Sequence, residues 1–252
     1  MVRMGNNLAS FHATTLEDLE IIKLLKRYDT KFIFHGDQLI PIFDYLSQNY
    51  EVLEIDNNRS FKYQNLYFDT DDYFFYRQHH NRKLSRYKVR FRRYVDSNKC
   101  YFEVKHKNNK RKTIKSRLLL EDKNISHELS EQTKEFARDC ILINNGDIID
   151  KVKPKLWIEF ERITFANQFN KERLTLDTNL TYTDSNSLRQ KLDNLVIAEL
   201  KSEKFSLNSQ FFQYLKKLKI YPIRFSKYCI GIAITEKNIK CNRFKKKLLK
   251  LN

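Results

Sequence analysis

The chain of 252 residues is 41% hydrophobic and carries 19 Phe and 14 Tyr, which excludes a disordered chain and gives enough apolar mass for a sizeable core. Forty-eight Lys and Arg against 31 Asp and Glu leave a formal net charge of +17, which disfavours a cationic partner and points to nucleic acid, phospholipid or a phosphorylated molecule or polymer. Only four Gly and three Pro are present, so no flexible linker divides the chain and residues 1–252 read as a single domain.

Residues 1 to about 28 read as a helical lead, in which TTLEDLEIIKLLKR starts a helix at Thr14 or Thr15 with Glu17 and Asp18 in its first turn. KFIF is a short strand. GDQLIPIFDYLSQNY follows as a helix, because Leu39, Ile42, Phe43, Leu46 and Tyr50 recur at helical spacing. Strands are predicted over 59–69, 85–95, 100–107 and 112–121, a helix over 131–143, then strands in KPKLWIEFERITF, ERLTLDT and LVIAELK. SLNSQFFQYLKKL and SKYCIGIAI close the chain as helices, the second capped by Ser226, and residues from about 236 to 252 form a basic tail. About eight mostly hairpin-connected strands flanked by helices predict an α+β fold with an antiparallel sheet closed or nearly closed into a barrel.

The hairpin YKVRFRRYVDSNKCYFEVKHK (87–107) puts Tyr87, Val89 and Phe91 on one face and Lys88, Arg90 and Arg92 on the other, with Glu103, Lys105 and Lys107 together on the returning strand. Cations recur at Lys112, Lys115 and Arg117, at Arg162, at Arg173 and at Lys201. One such face is ordinarily a solvated surface. Repeated over five strands, such faces either lie outside, with the opposite faces building the core against helices, or line a cavity whose cations need a polyanion to offset their repulsion and lost hydration. Glu199 beside Lys201, with Glu159, Glu161 and Asp177 near in strand order, reads either as cross-strand ion pairs or as ligands of a divalent cation bridging phosphates. Adjacent His79 and His80 point apart and make a poor metal pair. No glycine-rich phosphate loop and no Ser/His/Asp or Cys/His set is found. The cysteines Cys100, Cys140, Cys229 and Cys241 contain no C-x-x-C pair, which predicts free thiols in a reducing cytoplasm. No apolar run reaches 18 residues, so no membrane-spanning helix is expected.

RYDTKFIF, YEVLEIDNNRSFKYQNLYFDT, HHNRKLSRYKVRFRRYVDS, FEVKHK, RKTIKSR, ERITF, ERLTLDTNL, IAELK and FSKYCIG, in that order, resemble the VTC domain of polyphosphate polymerases, stand-alone bacterial type, within the triphosphate tunnel (CYTH-like) superfamily. The resemblance runs from about residue 27 to 245 and implies an eight-stranded closed barrel. It also implies phosphate-binding roles for Lys31, Lys112, Lys115, Arg173 and Lys201, catalytic roles for Lys88, Arg90, Lys105, Arg162 and Lys227, and a metal-binding role for Glu199. Where superfamily hydrolases have E-x-E-x-K, this chain has Arg27, Asp29 and Lys31, which resembles the polymerase branch. Bacterial relatives carry glycine where this chain has Arg82 and where it has Lys110 or Arg111. Arg162 shares strand parity with Phe160 and Ile158, so a bulge is needed to bring it to the face of Glu159 or Glu161.

The implied reaction transfers the γ-phosphate of ATP to a growing polyphosphate chain with Mn²⁺ or Mg²⁺. The implied partners are ATP and polyphosphate, with a membrane-protein chain as the route to any membrane and no nucleic acid. Rival readings are hydrolysis of triphosphate or nucleoside triphosphate at the same residues, and a non-catalytic polyphosphate or RNA binder.

Overall fold

The computed structural model describes residues 8–21, 28–110, 112–142, 144–203 and 209–251. In chain order these form β1 (Ala13–Thr14), α1 (Leu16–Ile21), β2 (Tyr28–His35), α2 (Leu39–Ser47), β3 (Glu51–Leu53), β4 (Phe61–Thr70), α3 (Phe74–His80), β5 (Arg86–Tyr94), β6 (Lys99–Lys107) and β7 (Thr113–Leu120). They continue with α4 (Glu131–Cys140), β8 (Val152–Asn167), β9 (Glu172–Asp184), β10 (Arg189–Leu192), β11 (Leu195–Ser202), α5 (Gln210–Lys217), α6 (Lys227–Thr235) and α7 (Lys245–Leu248).

Side-chain oxygens set most helix starts. Thr15 and Asp18 exchange bonds across the first turn of α1, Asp18 N donating to Thr15 Oγ1 at 3.2 Å and Thr15 N to Asp18 Oδ2 at 3.2 Å, a reciprocal capping box. Ser130, Ser209 and Ser226 accept from the backbone N–H three residues on, opening α4, α5 and α6. Helix α3 has no such cap, because Tyr73 at its N-cap is left-handed (φ 57°). The buried Asp69 replaces it, accepting from Phe75 N and Tyr76 N at 2.8 Å each.

The chain forms two compact units, Met1–Phe61 with Phe160–Leu180 and Leu192–Phe225, and Lys62–Glu159 with Thr181–Lys191 and Ser226–Asn252. In the first, Phe32 and Phe34 of β2, Leu174 and Leu176 of β9, and Val196, Ala198 and Leu200 of β11 present one sheet face to α2 and α5, where Ile42, Leu46, Phe211 and Leu215 complete the core. In the second, Leu66 and Phe68 of β4, Val89 and Phe91 of β5, and Phe102 and Val104 of β6 do the same beneath Ala137 of α4. Each fully buried Leu or Phe contributes about 1.5–3 kcal/mol, so strict alternation in these strands fixes which face is left for polar side chains.

The sheet has eleven strands, and its main ladder runs β2-β11-β9-β8-β4-β5-β6-β7, with β1 parallel to β3, β3 beside β8 and β10 beside β9. The α+β class and the antiparallel sheet agree with the sequence. The eight-stranded closed barrel does not: the order is an open path, and β7 has only β6 beside it among the described residues. Strand β7 carries the marks of an edge, with Lys115, Arg117 and Leu119 exposed on one face and Ile114 on the other. The three additional strands, β1, β3 and β10, are two to four residues long, too short to show a period. The helical lead is also corrected, since β1 precedes α1; the rest of the predicted first helix, residues 22–27, lies outside the described residues. Among the described residues no helix is long and apolar enough to cross a membrane, and the four cysteines are free.

Arg82, at a place where the resembled relatives carry glycine, adopts φ 58°. This left-handed backbone costs an L-residue about 1–2 kcal/mol, partly offset in glycine by its greater unfolded entropy. Arg82→Gly is therefore expected to raise the melting temperature slightly, a change thermal denaturation can read; a clear fall would show that the Arg82 side chain matters more than its backbone.

Candidate functional site

In the second unit, β4, β5, β6 and β7 leave one face to polar side chains. Register makes Lys88, Lys105 and Lys115 direct cross-strand neighbours, and in the next row Tyr67, Arg90, Glu103 and Arg117. The third row brings Asn65 opposite Arg92 and Tyr101. Like charges directly opposite one another destabilise a sheet; Glu103 offsets part of that cost at Lys115, and a bound anion would offset more.

Glu103, only 2% exposed, organises the second row. Its Oε2 accepts from Arg90 Nε at 2.8 Å and Nη2 at 2.5 Å, and Lys115 Nζ lies 2.5 Å from its Oε1. Burial raises the Glu103 pKa, but Arg90, Arg92 and Lys115 outweigh it and hold the carboxyl far below its usual range. Arg90 Nη1 donates to Tyr67 Oη at 2.6 Å, and Arg92 Nε to Asn65 Oδ1 at 2.8 Å. One buried carboxylate thus fixes the Arg90 guanidinium, and Asn65 that of Arg92, while the cations around Glu103 outnumber it. Lys88 Nζ donates to Ser226 Oγ at 2.8 Å, which ties the lysine row to the first turn of α6, where half-buried Lys227 begins the helix. A helix N-terminus adds partial positive charge there.

In the first unit, the polar face of β2, β11 and β9 carries Lys31, Glu199 and Thr175 in one row and Asp29, Lys201 and Arg173 in the next. Lys31 Nζ donates to Glu199 Oε1 at 2.5 Å. Burial raises the Glu199 pKa, yet Lys31, Lys201 and Arg162 hold it well below the usual carboxylate range, so it stays ionised. Arg162 makes a two-pronged bond to Asp177, at 2.6 and 2.8 Å, and Arg173 Nη2 donates to the carbonyl of Leu19 at 3.3 Å.

The bulge expected to bring Arg162 to the face of Glu159 or Glu161 does not bring them together. Glu161 and Arg162, adjacent and so on opposite faces of β8, bond Asn179 and Asp177, which a regular pleat would place on one face. The left-handed Asn179 (φ 53°) interrupts the pleat between them. Arg162 consequently joins Asp177, while Glu161 faces the other way and Glu159 accepts from Gln64. Neither glutamate therefore joins Arg162 on its face.

Of the residues singled out in the sequence, Lys88, Arg90, Lys105 and Lys115 lie side by side in the second unit, and Lys31, Glu199, Lys201, Arg173 and Arg162 share a face in the first. Lys112 does not join the lysine row: it sits exposed in the β6–β7 turn, where Asn108 N donates to its carbonyl at 3.0 Å. Arg27 and Arg111 lie outside the described residues. Sequence reasoning missed the organising role of Glu103, and Tyr63, Tyr67 and Tyr101, which share the cationic face and lie under Arg92, Arg90 and Arg117 at 5.2–5.5 Å. Tyrosine at two positions of one parity in β4, Tyr63 and Tyr67, was the available signal. Among the described residues there is no cluster of three or more His, Cys, Asp or Glu placed to hold a metal.

A family model for the VTC domain matches residues 26–236. The structure is similar to that of HpAC1 from Hippeastrum, an adenylyl cyclase candidate with a dominant triphosphatase activity, at TM-score 0.51 and 13% identity, over 82% of this chain and 96% of that one. It is also similar to a protein of Bacillus halodurans assigned as an adenylate cyclase, at TM-score 0.49 and 15% identity, over 86% of this chain and 95% of that one. The likeness to HpAC1 is one of fold. No curated protein matches the sequence.

Proposed function

This chain belongs to the VTC domain family, and from that membership we propose that it is a polyphosphate polymerase, which transfers the γ-phosphate of ATP to the end of a growing polyphosphate chain. The observation that carries the proposal is the register of Lys88, Lys105 and Lys115, three cations set directly opposite one another on adjacent strands beside Arg90. A chain of phosphates is the partner that turns this repulsion into binding.

In the reaction, a terminal phosphate oxygen of the polymer attacks the γ-phosphorus, the bond from that phosphorus to the β,γ-bridging oxygen breaks, and ADP leaves with the electron pair. The acceptor is already an anion, so no general base is needed; alignment and charge neutralisation supply the catalysis. Lys88, Arg90, Lys105 and Lys227 would hold the phosphates in line, with Lys115 extending the row, and Lys31, Arg162, Arg173 and Lys201 would bind phosphate in the first unit. Glu199 is the residue proposed for a divalent cation. It is an ionised hard-oxygen donor, and since no group of three such ligands is found among the described residues, the rest of the shell would come from phosphate oxygens and water, as Mg²⁺ and Mn²⁺ sites allow. When bound, such an ion neutralises charge on the phosphoryl oxygens. The free cysteines support a reducing, cytoplasmic setting, and passage of the polymer across any membrane would fall to a partner chain.

Lys105 is exposed, so Lys105→Ala should leave thermal stability within about 0.5 kcal/mol of wild type. Loss of one charge-stabilising donor should still lower ADP formation from ATP by about a hundredfold or more. Unchanged turnover would contradict the assignment. The second reading, hydrolysis with water as acceptor, draws on the triphosphatase activity of HpAC1; the two differ in the fate of the transferred phosphate.

A further inference from the structure

Tyr67 is 5% exposed, and its phenol oxygen lies 2.6 Å from Arg90 Nη1. A guanidinium only donates, so the phenol oxygen is the acceptor and its own proton must go elsewhere. Among the described residues that proton has no acceptor, and a buried donor left unspent is costly unless a ligand takes it. The ring cannot turn away to find one. It stacks on Tyr228 at 4.8 Å between centroids, and the Tyr228 hydroxyl is itself bonded to the buried Asp69 that opens α3.

We propose that Tyr67 contacts the substrate directly, its hydroxyl donating to a phosphoryl oxygen held beside Arg90. The proposal rests on the phosphate-binding reading of this face and adds to it a neutral donor among cations. Such a donor suits a phosphoryl oxygen because it supplies direction without further charge repulsion in the free protein. The electrostatics agree: burial raises the Tyr67 phenol, but Arg90, Lys88 and Arg92 outweigh that and bring it below the usual tyrosine range. A phosphate accepting the proton would favour the protonated phenol and move its ionisation upward.

The test is tripolyphosphate binding by calorimetry to wild type and Tyr67→Phe, joined to an ultraviolet titration of tyrosinate with and without tripolyphosphate. Phenylalanine keeps the stacked ring and removes the hydroxyl. Binding is expected to weaken roughly tenfold or more, the scale of a lost bond to a charged acceptor. A tyrosine ionisation below the usual range, present in wild type, should be absent from the variant and should move upward when tripolyphosphate is added. Equal binding by the two proteins overturns the proposal. Weaker binding with a wild-type ionisation that tripolyphosphate leaves in place also overturns it, because the hydroxyl would then act only through Arg90. The wild-type titration needs no folded variant. If wild type itself fails to bind tripolyphosphate, the phosphate-binding reading of the face falls, and this proposal with it.

Discussion

Glu103→Ala should lower the stability of the protein by about 3 kcal/mol or more, the cost of removing one partner from a buried ion pair. The carboxylate is 2% exposed while Arg90 and Arg92 are 17% and 12% exposed, so two guanidinium groups would lose their counter-charge away from water. Lys115, at 39%, is better solvated and contributes less. For a chain of this length the loss corresponds to a fall in melting temperature of roughly 6–12 °C. The sign with pH follows from the depressed Glu103 pKa. Its contribution is fully present above the unfolded carboxylate value of about 4.3 and is lost as pH falls toward the lower folded value. Wild type and variant should therefore differ most near neutrality and converge in acid, as thermal melts across pH would show. Tripolyphosphate should stabilise the variant more than wild type, because it would replace the missing negative charge. A variant that melts with wild type at neutral pH would remove Glu103 from its organising role.

Glu199→Gln should abolish turnover of ATP while leaving tripolyphosphate binding largely intact. The amide can still accept from Lys31, which now donates to Oε1 at 2.5 Å, so the strand pairing survives. What is lost is a permanent negative charge at a position that Lys31, Lys201 and Arg162 keep ionised. A divalent cation bound through phosphate oxygens and one carboxylate depends on that charge. Parallel measurements of ADP formation and calorimetric binding separate the two effects. Persistent turnover would remove Glu199 from metal binding.

The faces of the strands were legible because each has one side buried, and burial makes period-two alternation unambiguous. Tyr87, Val89 and Phe91 are inside, so Lys88, Arg90 and Arg92 had to share the other side. Which cations become cross-strand neighbours was not legible, since that depends on register and turn geometry. Lys112 shows the limit: it is three residues from Lys115, and the turn ends just before the strand that carries the row. The left-handed backbone at Asn179 was hidden for the same reason, since it leaves no mark in the hydrophobic pattern of β9. Glu103 looked like one acid among basic neighbours, and its burial is set by strands on both sides. Helix α3 went unread because its cap, Asp69, lies five residues before its first residue.

Phosphorus NMR of the purified protein incubated with ATP and Mn²⁺ tests the polymerase claim most directly. The account predicts resonances of bridging phosphates growing as ATP converts to ADP. Orthophosphate as the only phosphorus product beside ADP would contradict it and leave hydrolysis as the activity of this site.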